Sequence, residues 1–129
     1  MRHLLHTATA CLTLAVALGG CASYGQGNAP AQTSAGMLVG ANGMTLYTFD
    51  RDAAGSGKSA CNGACAAIWP PLTAGDADAA HGDYSIVMRD DGKKQWAYKG
   101  KPLYFWSKDA KAGDATGDGF NSVWHTARP

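Results

Sequence analysis

Apolar and polar positions in this chain alternate in short runs, and the runs come in pairs. Met37-Leu38-Val39 and Met44-Thr45-Leu46-Tyr47-Thr48-Phe49 flank Asn42-Gly43. A period near two marks half-buried strands. Asn-Gly between two such runs is the strongest short-range hairpin signal, because a type I′ turn needs positive φ at both central residues. Asp91-Gly92 stands in the same way between Tyr84-Ser85-Ile86-Val87-Met88 and Gln95-Trp96-Ala97-Tyr98. Lys99-Gly100 then leads into Pro102-Leu103-Tyr104-Phe105-Trp106, so 84–106 reads as a three-stranded antiparallel meander.

One run occurs twice. Leu46-Tyr47-Thr48-Phe49-Asp50-Arg51-Asp52 returns 57 positions later as Leu103-Tyr104-Phe105-Trp106-Ser107-Lys108-Asp109. Gly43 falls on Gly100 at the same spacing, so turn and strand are repeated together and the repeat is a supersecondary unit. The match weakens further on, where Trp69 and Trp124 read as equivalent closing tryptophans. One short helix is expected within 59–68, with Ser59 as its cap and Pro70-Pro71 as its stop; Gly63 weakens it by about 1 kcal/mol relative to alanine. The Ala-, Gly- and Asp-rich stretch 73–83 separates the halves as a loop.

The N-terminal pattern differs. Arg2 and His3 precede an apolar stretch from Leu4 to Leu18, which ends in Leu18-Gly19-Gly20-Cys21. It falls short of the roughly 20 apolar residues that span a bilayer. A basic start, an apolar middle and small residues at the end describe an export signal over 1–20. Leu-Gly-Gly-Cys resembles the bacterial lipobox, which implies removal of 1–20, a diacylated Cys21 and a membrane partner reached through that lipid. Ala22 after the cysteine favours an outer membrane facing the periplasm over the inner membrane. Residues 21–36 are small and polar and read as a flexible tether of about 20 Å reach. That leaves 37–129 as a single small β-rich domain of two similar antiparallel sheet-forming repeats, too short for two independent cores.

Charge excludes some functions. Beyond the export signal, seven Lys and three Arg face ten Asp, and the chain has no Glu. Scattered, balanced charge provides no basic stripe for nucleic acid and no electrostatic hold on anionic lipid. Four cysteines, less Cys11 in the signal and Cys21 under lipid, leave Cys61 and Cys65. In an oxidising compartment such a pair reads as a disulfide. Four residues apart on a helix, the Cα atoms would lie near 6 Å, within bridging range.

These residues together resemble the bacterial predicted lipoproteins with a Tyr-x-(Phe/Trp/Tyr)-x-x-Asp motif, also described as a secreted repeat of unknown function. Tyr47, Phe49 and Asp52 match the first motif, and Tyr104, Trp106 and Asp109 the second. Cys61-x-Gly63-x-Cys65-Ala66 before Trp69-Pro70-Pro71, and Gly117-Asp118-Gly119 before Trp124, resemble that family's intervening and closing segments. The resemblance covers about 37–129. It implies a secreted, lipid-anchored protein and transfers no catalytic residue.

On a strand, Tyr47 and Phe49 point to one face with Leu46 and Thr48 on the other, and Tyr104 and Trp106 do likewise. Two readings follow. The motif is either an exposed aromatic platform for an apolar or sugar-like ligand, or a core face shared by the repeats; the core face is favoured. Asp52 and Asp109 are expected to accept backbone N–H groups in the turns after their strands.

Metal and catalytic patterns are weak. Asp114-x-Thr116-x-Asp118-Gly119 has a calcium-loop glycine but places His125 where a bidentate Glu is needed. Cys61, Cys65, His81 and His125 are the other conceivable ligands. No nucleophile elbow or phosphate loop occurs. No catalytic residue, metal or cofactor is therefore assigned. The expected role is a non-enzymatic binding or structural lipoprotein of the cell envelope; the alternatives are an envelope thiol/disulfide redox protein using Cys61 and Cys65, or a periplasmic metal-binding protein.

Overall fold

The computed structural model describes residues 29–129. The expected export signal 1–20, Cys21 and the expected tether through residue 28 lie outside the described residues. Seven strands form three small antiparallel sheets. β1 (Gln32–Ser34) pairs with β2 (Met37–Val39), β3 (Tyr47–Phe49) with β7 (Trp124–Thr126), and β4 (Tyr84–Met88), β5 (Lys94–Tyr98) and β6 (Lys101–Pro102) make the expected meander, its third strand shorter than the run 102–106 implies. One α-helix, α1 (Ala64–Ile68), and a single 3₁₀ turn (Phe120–Ser122) complete the elements.

The folded part begins earlier than residue 37. β1 lies in the stretch expected to be tether, and Ala31 is buried against Leu38, Leu46, Leu103 and Ala127. Gln32-Thr33-Ser34 is exposed along its length. A polar strand held by backbone ladder bonds shows no apolar alternation, which is why its composition reads as linker.

The turns also correct an expectation. At Asn42-Gly43 and Asp91-Gly92 only the glycines have positive φ (77° and 80°). Each turn is one residue wider than a type I′ hairpin: Gly43 N–H donates to Gly40 O and Gly40 N–H to Met44 O, as Gly92 does to Arg89 and Arg89 to Lys93. Asn42 Oδ1 and Asp91 Oδ1 each accept the N–H two residues on, at 3.0 and 2.9 Å. That side-chain bond is what Asn and Asp contribute here. Lys99-Gly100, by contrast, has positive φ at both positions (48° and 81°), as a type I′ turn requires.

Tyr47 and Tyr104 meet where the repeats join. Each N–H donates to the other's carbonyl, at 2.8 and 3.0 Å. This reciprocal pair marks an approximate two-fold axis, and equivalent contacts recur around it. Asp50 N–H donates to Val123 O, and Ser107 N–H to Ile68 O; Ala127 N–H donates to Leu46 O, and Leu72 N–H to Leu103 O. The β3–β7 ladder has only a bridge, Pro71 with Tyr104, as its counterpart. Pro70 and Pro71 have no N–H to give a ladder, so a strand does not register there.

Alternation along the repeated run builds two apolar clusters. Leu46 and Leu103 enter the aliphatic cluster, while Tyr47 and Tyr104 enter an aromatic one with Cys61, Trp69, Trp106 and Trp124. The aromatic cluster contains a column of rings: Phe49 on Trp124 at 4.2 Å, Trp124 on Trp69 at 3.8 Å, and Trp69 on Trp106 at 4.0 Å. Trp69 and Trp124 occupy corresponding places in it, each stacked on the motif aromatic of the other repeat. Gly117 lies against the column; a Cβ there would sit 2.7 Å from Trp69 and 2.9 Å from Trp106.

Two substitutions test this packing in urea unfolding followed by tryptophan fluorescence. Trp106→Ala is expected to cost about 3–5 kcal/mol. Gly117→Ala is expected to cost about 1–3 kcal/mol through overpacking alone. Gly55→Ala, where the added Cβ meets nothing within 4 Å, is the reference for backbone strain without a clash.

Candidate functional site

The six motif residues converge, and they do so across the repeats. Tyr47 Oη donates to Asp109 Oδ2 at 2.6 Å, and Tyr104 Oη donates to Asp52 Oδ2 at 2.6 Å. The tyrosine of each motif thus satisfies the aspartate of the other. Each aspartate's second oxygen holds the loop that follows its own strand: Asp52 Oδ1 accepts Ala60 N–H at 2.6 Å, and Asp109 Oδ1 accepts Thr116 N–H at 3.0 Å and Thr116 Oγ1–H at 2.6 Å. The expected backbone bonds are present. The cross-repeat tyrosine bonds are what spacing along one chain does not reveal.

Both pairs are buried. Tyr47 and Tyr104 are 0% exposed, Asp52 7% and Asp109 8%. Burial, and then the bond to the facing carboxylate, pushes both phenols well above their ordinary value. Asp52 is also raised by burial, against the opposing pull of the Tyr104 and Ala60 hydrogen bonds and the Arg89 charge.

Ser59 does not cap the helix. Its Oγ lies 2.7 Å from Tyr104 Oη and accepts from Arg89 Nη1 at 3.0 Å. The helix starts instead after Gly63, whose φ of 55° and ψ of −122° break the run from Ser59. Arg89 is 2% exposed. It also donates to Gln95 Oε1, Cys61 O and Asp91 Oδ2 at 2.9, 2.9 and 3.1 Å. A buried guanidinium with its donors shared among four acceptors meets the condition under which burying a charge is tolerable. Period-two counting from buried Val87 puts Arg89 on the inward face, the one sequence signal for it.

Cys61 and Cys65 form a disulfide, with Cα atoms 5.2 Å apart. Only Cys65 lies on the helix; Cys61 is in the preceding loop and fully buried. Among the described residues no three His, Cys, Asp or Glu side chains converge to hold a metal, so His81 and His125 do not join the cysteines. The Asp114–Gly119 loop uses its carboxylates internally: Asp114 Oδ2 accepts from Ala110 and Lys111 N–H, and Asp118 Oδ1 from Thr126 N–H. No described helix is long and apolar enough to cross a membrane.

Outside the motif, Thr48, Asp50, Lys99, Lys101, His125 and Arg128 surround a cleft of about 280 Å³. His125 Nε2 lies 2.8 Å from Asp50 Oδ2. Hydropathy patterning missed this group because its members are surface residues drawn from three separate segments.

The family model described as a secreted repeat of unknown function matches the chain twice, over 30–73 and 85–128. The chain belongs to this family. No curated protein and no solved structure gives a significant match. The two matched stretches divide at the 73–83 loop, and each secreted repeat carries one Leu-Tyr strand and one closing tryptophan. The first match also includes β1, in agreement with the early start of the fold.

The buried phenols imply an alkaline limit to stability. A group whose folded pKa is raised gives stability that is complete below its unfolded value, near 10, and is lost as pH rises toward the folded one. The unfolding free energy is therefore expected to fall steadily above about pH 10, where the unfolded tyrosines release protons and the folded ones do not. Tyr104→Phe should reduce that slope by about one proton, and the double variant with Tyr47→Phe by about two. Denaturant titrations between neutral pH and about pH 11 measure it; slopes unchanged in both variants would show that the phenols titrate freely.

Proposed function

We propose that the protein is a non-enzymatic binding or structural module of the cell envelope, held by lipid on Cys21 to a membrane, with the outer membrane's periplasmic face as the favoured site. A secreted family supports a location beyond the cytoplasmic membrane. The observation that carries the non-enzymatic reading is the use made of the motif. Its tyrosines, aspartates and Trp106 are buried, and every hydroxyl and carboxylate among them is occupied by a partner in the other half or an adjoining loop. Residues spent in this way stabilise a scaffold and leave no group free to act on a substrate.

The same reasoning weighs against redox work at Cys61 and Cys65. An active thiol pair needs an exposed sulfur and a depressed thiol pKa, whereas Cys61 is fully enclosed and its carbonyl is held by Arg89. A bridge closing so short a loop contributes about 2 kcal/mol, enough to pin the segment that leads into Trp69.

Two measurements test the proposal. Intact-mass analysis of membrane-extracted protein should show a chain beginning at acylated Cys21, and Cys21→Ser should release it from the membrane fraction; an unlipidated mature start elsewhere would refute the anchor. Thiol titration of the folded protein should find no free thiol and slow reduction. A midpoint near the glutathione poise with rapid reduction would replace this reading with the redox one, and two free thiols binding one zinc would replace it with the metal one.

A further inference from the structure

The two halves of the fold provide a comparison with each other. The cleft beside β3 and β7 is lined at positions 48, 50, 99, 101, 125 and 128 by Thr, Asp, Lys, Lys, His and Arg. The approximate two-fold axis carries these to Phe105, Ser107, Asn42, Met44, Pro70 and Thr73. The counterpart surface thus has no charged residue among the six. Thr48 leaves space, whereas the Phe105 ring at the matching place closes against Gly40 and the aliphatic cluster. The counterpart surface is built around the same axis without charge and without the opening, so neither is a requirement of the two-fold arrangement.

The charge balance of the cleft is also unlike that of the chain. Lys99, Lys101 and Arg128 make three cations against the one carboxylate of Asp50, a net of two positive, where the whole chain carries +1. Among the described residues none of these three cations has a carboxylate within 4.0 Å, as is also true of Arg51, Lys93, Lys108 and Lys111. Asp50 is engaged with His125, which leaves the cations facing the opening. Lys99 is held on a type I′ turn with its ammonium 5.3 Å from the Tyr98 ring centre, so part of its position is set by the backbone and the ring.

We propose that this cleft is a binding site for an oxyanion, a carboxylate or phosphate group carried by a small ligand of the envelope. Arg128 supplies the planar fork that takes two oxygens, Lys99 and Lys101 add unpaired charge, and Tyr98 and Thr48 give a half-buried wall for the body that bears the anion. The site rests on the reading of the protein as a binding module and gives that module its ligand class.

The test is an NMR titration of the purified lipoprotein in non-ionic detergent at low ionic strength. Inorganic phosphate and glucuronate are the probes, read at the backbone amides of Thr48, Lys99 and His125. Saturable shifts with either probe support the site, and the probe that binds tells a phosphate-bearing from a carboxylate-bearing ligand. Lys101→Ala with Arg128→Ala should weaken binding about tenfold, and Asp50→Asn should tighten it about threefold by removing the one repelling charge. Lys111→Ala, remote from the cleft, should leave it unchanged. Opposite signs within one cleft are not produced by loss of folding. An equal response in Lys111→Ala, or no saturable shift with either probe, overturns the site. Mass analysis and thiol titration do not involve the cleft, so they decide the envelope-module reading separately.

Discussion

The fold depends on a reciprocal hydrogen bond. Each motif's tyrosine donates to the other motif's aspartate, and the two bonds run either side of the axis on which the tyrosine backbones also pair. Each half bonds only one oxygen of its own aspartate and leaves the other to the facing tyrosine, so neither is complete alone. The physical penalty for breaking the exchange is asymmetric. A paired buried phenol and carboxylate contribute modestly, but an orphaned one carries its desolvation cost, about 1–3 kcal/mol. That asymmetry favours association of the two halves in one register, because a shifted pairing would strand two carboxylates at once.

The aromatic column completes what the polar exchange begins. Trp69 and Trp124 lie almost parallel at 3.8 Å, and Tyr47 and Tyr104 stand nearly perpendicular to them, with ring centres at 5.3 and 5.1 Å. Stacked and edge-on pairs of this kind add about 0.5–1.5 kcal/mol each beyond the area they bury. The tyrosine side chains therefore have two tasks: the ring packs against the column and the hydroxyl reaches the aspartate of the other motif. Phenylalanine would keep the first contact and lose the second. The constant residues of the motif, Tyr and Asp, serve the exchange, and the variable aromatic (Phe49 in one copy, Trp106 in the other) caps the column at either end.

Much of this arrangement is legible in the chain, and the parts that are not share a cause. The internal repeat, the meander, the core use of the aromatics, the aspartate-held turns and the disulfide all follow from local spacing or from counting, because each is a relation between residues near in sequence or repeated at one interval. The partner of each aspartate is 52 or 62 residues away, and symmetric copies make the wrong pairing, within a repeat, the simpler guess. Ser59 has the character of a helix cap. It was drawn instead into the buried polar network of Tyr104 and Arg89, where an unsatisfied hydroxyl would have cost more than an uncapped five-residue helix. Asn-Gly and Asp-Gly signal a turn correctly, but the side-chain bond to the second following N–H selects the wider form.

Repetition also bears on where the proposed site lies. Residues that face the axis are bound to residues of the other repeat. Surface positions carry no such tie, and there the halves diverge: prolines in one copy stand where the other has His125 and Thr126, and Phe105 stands where the other has Thr48. On the counterpart surface, the first repeat's prolines remove ladder donors and the second repeat's Phe105 closes the gap with an apolar ring. The cleft side keeps a regular β3–β7 ladder, one strand from each repeat, and a regular ladder fixes the spacing of outward side chains. A rigid strand pair beside a rigid turn is the kind of support that a binding site requires, since ligand contacts lose their value when the groups that make them must first be ordered. The two-fold scaffold therefore divides its labour, with the shared axis holding the protein together and the unshared surface left free to acquire a ligand.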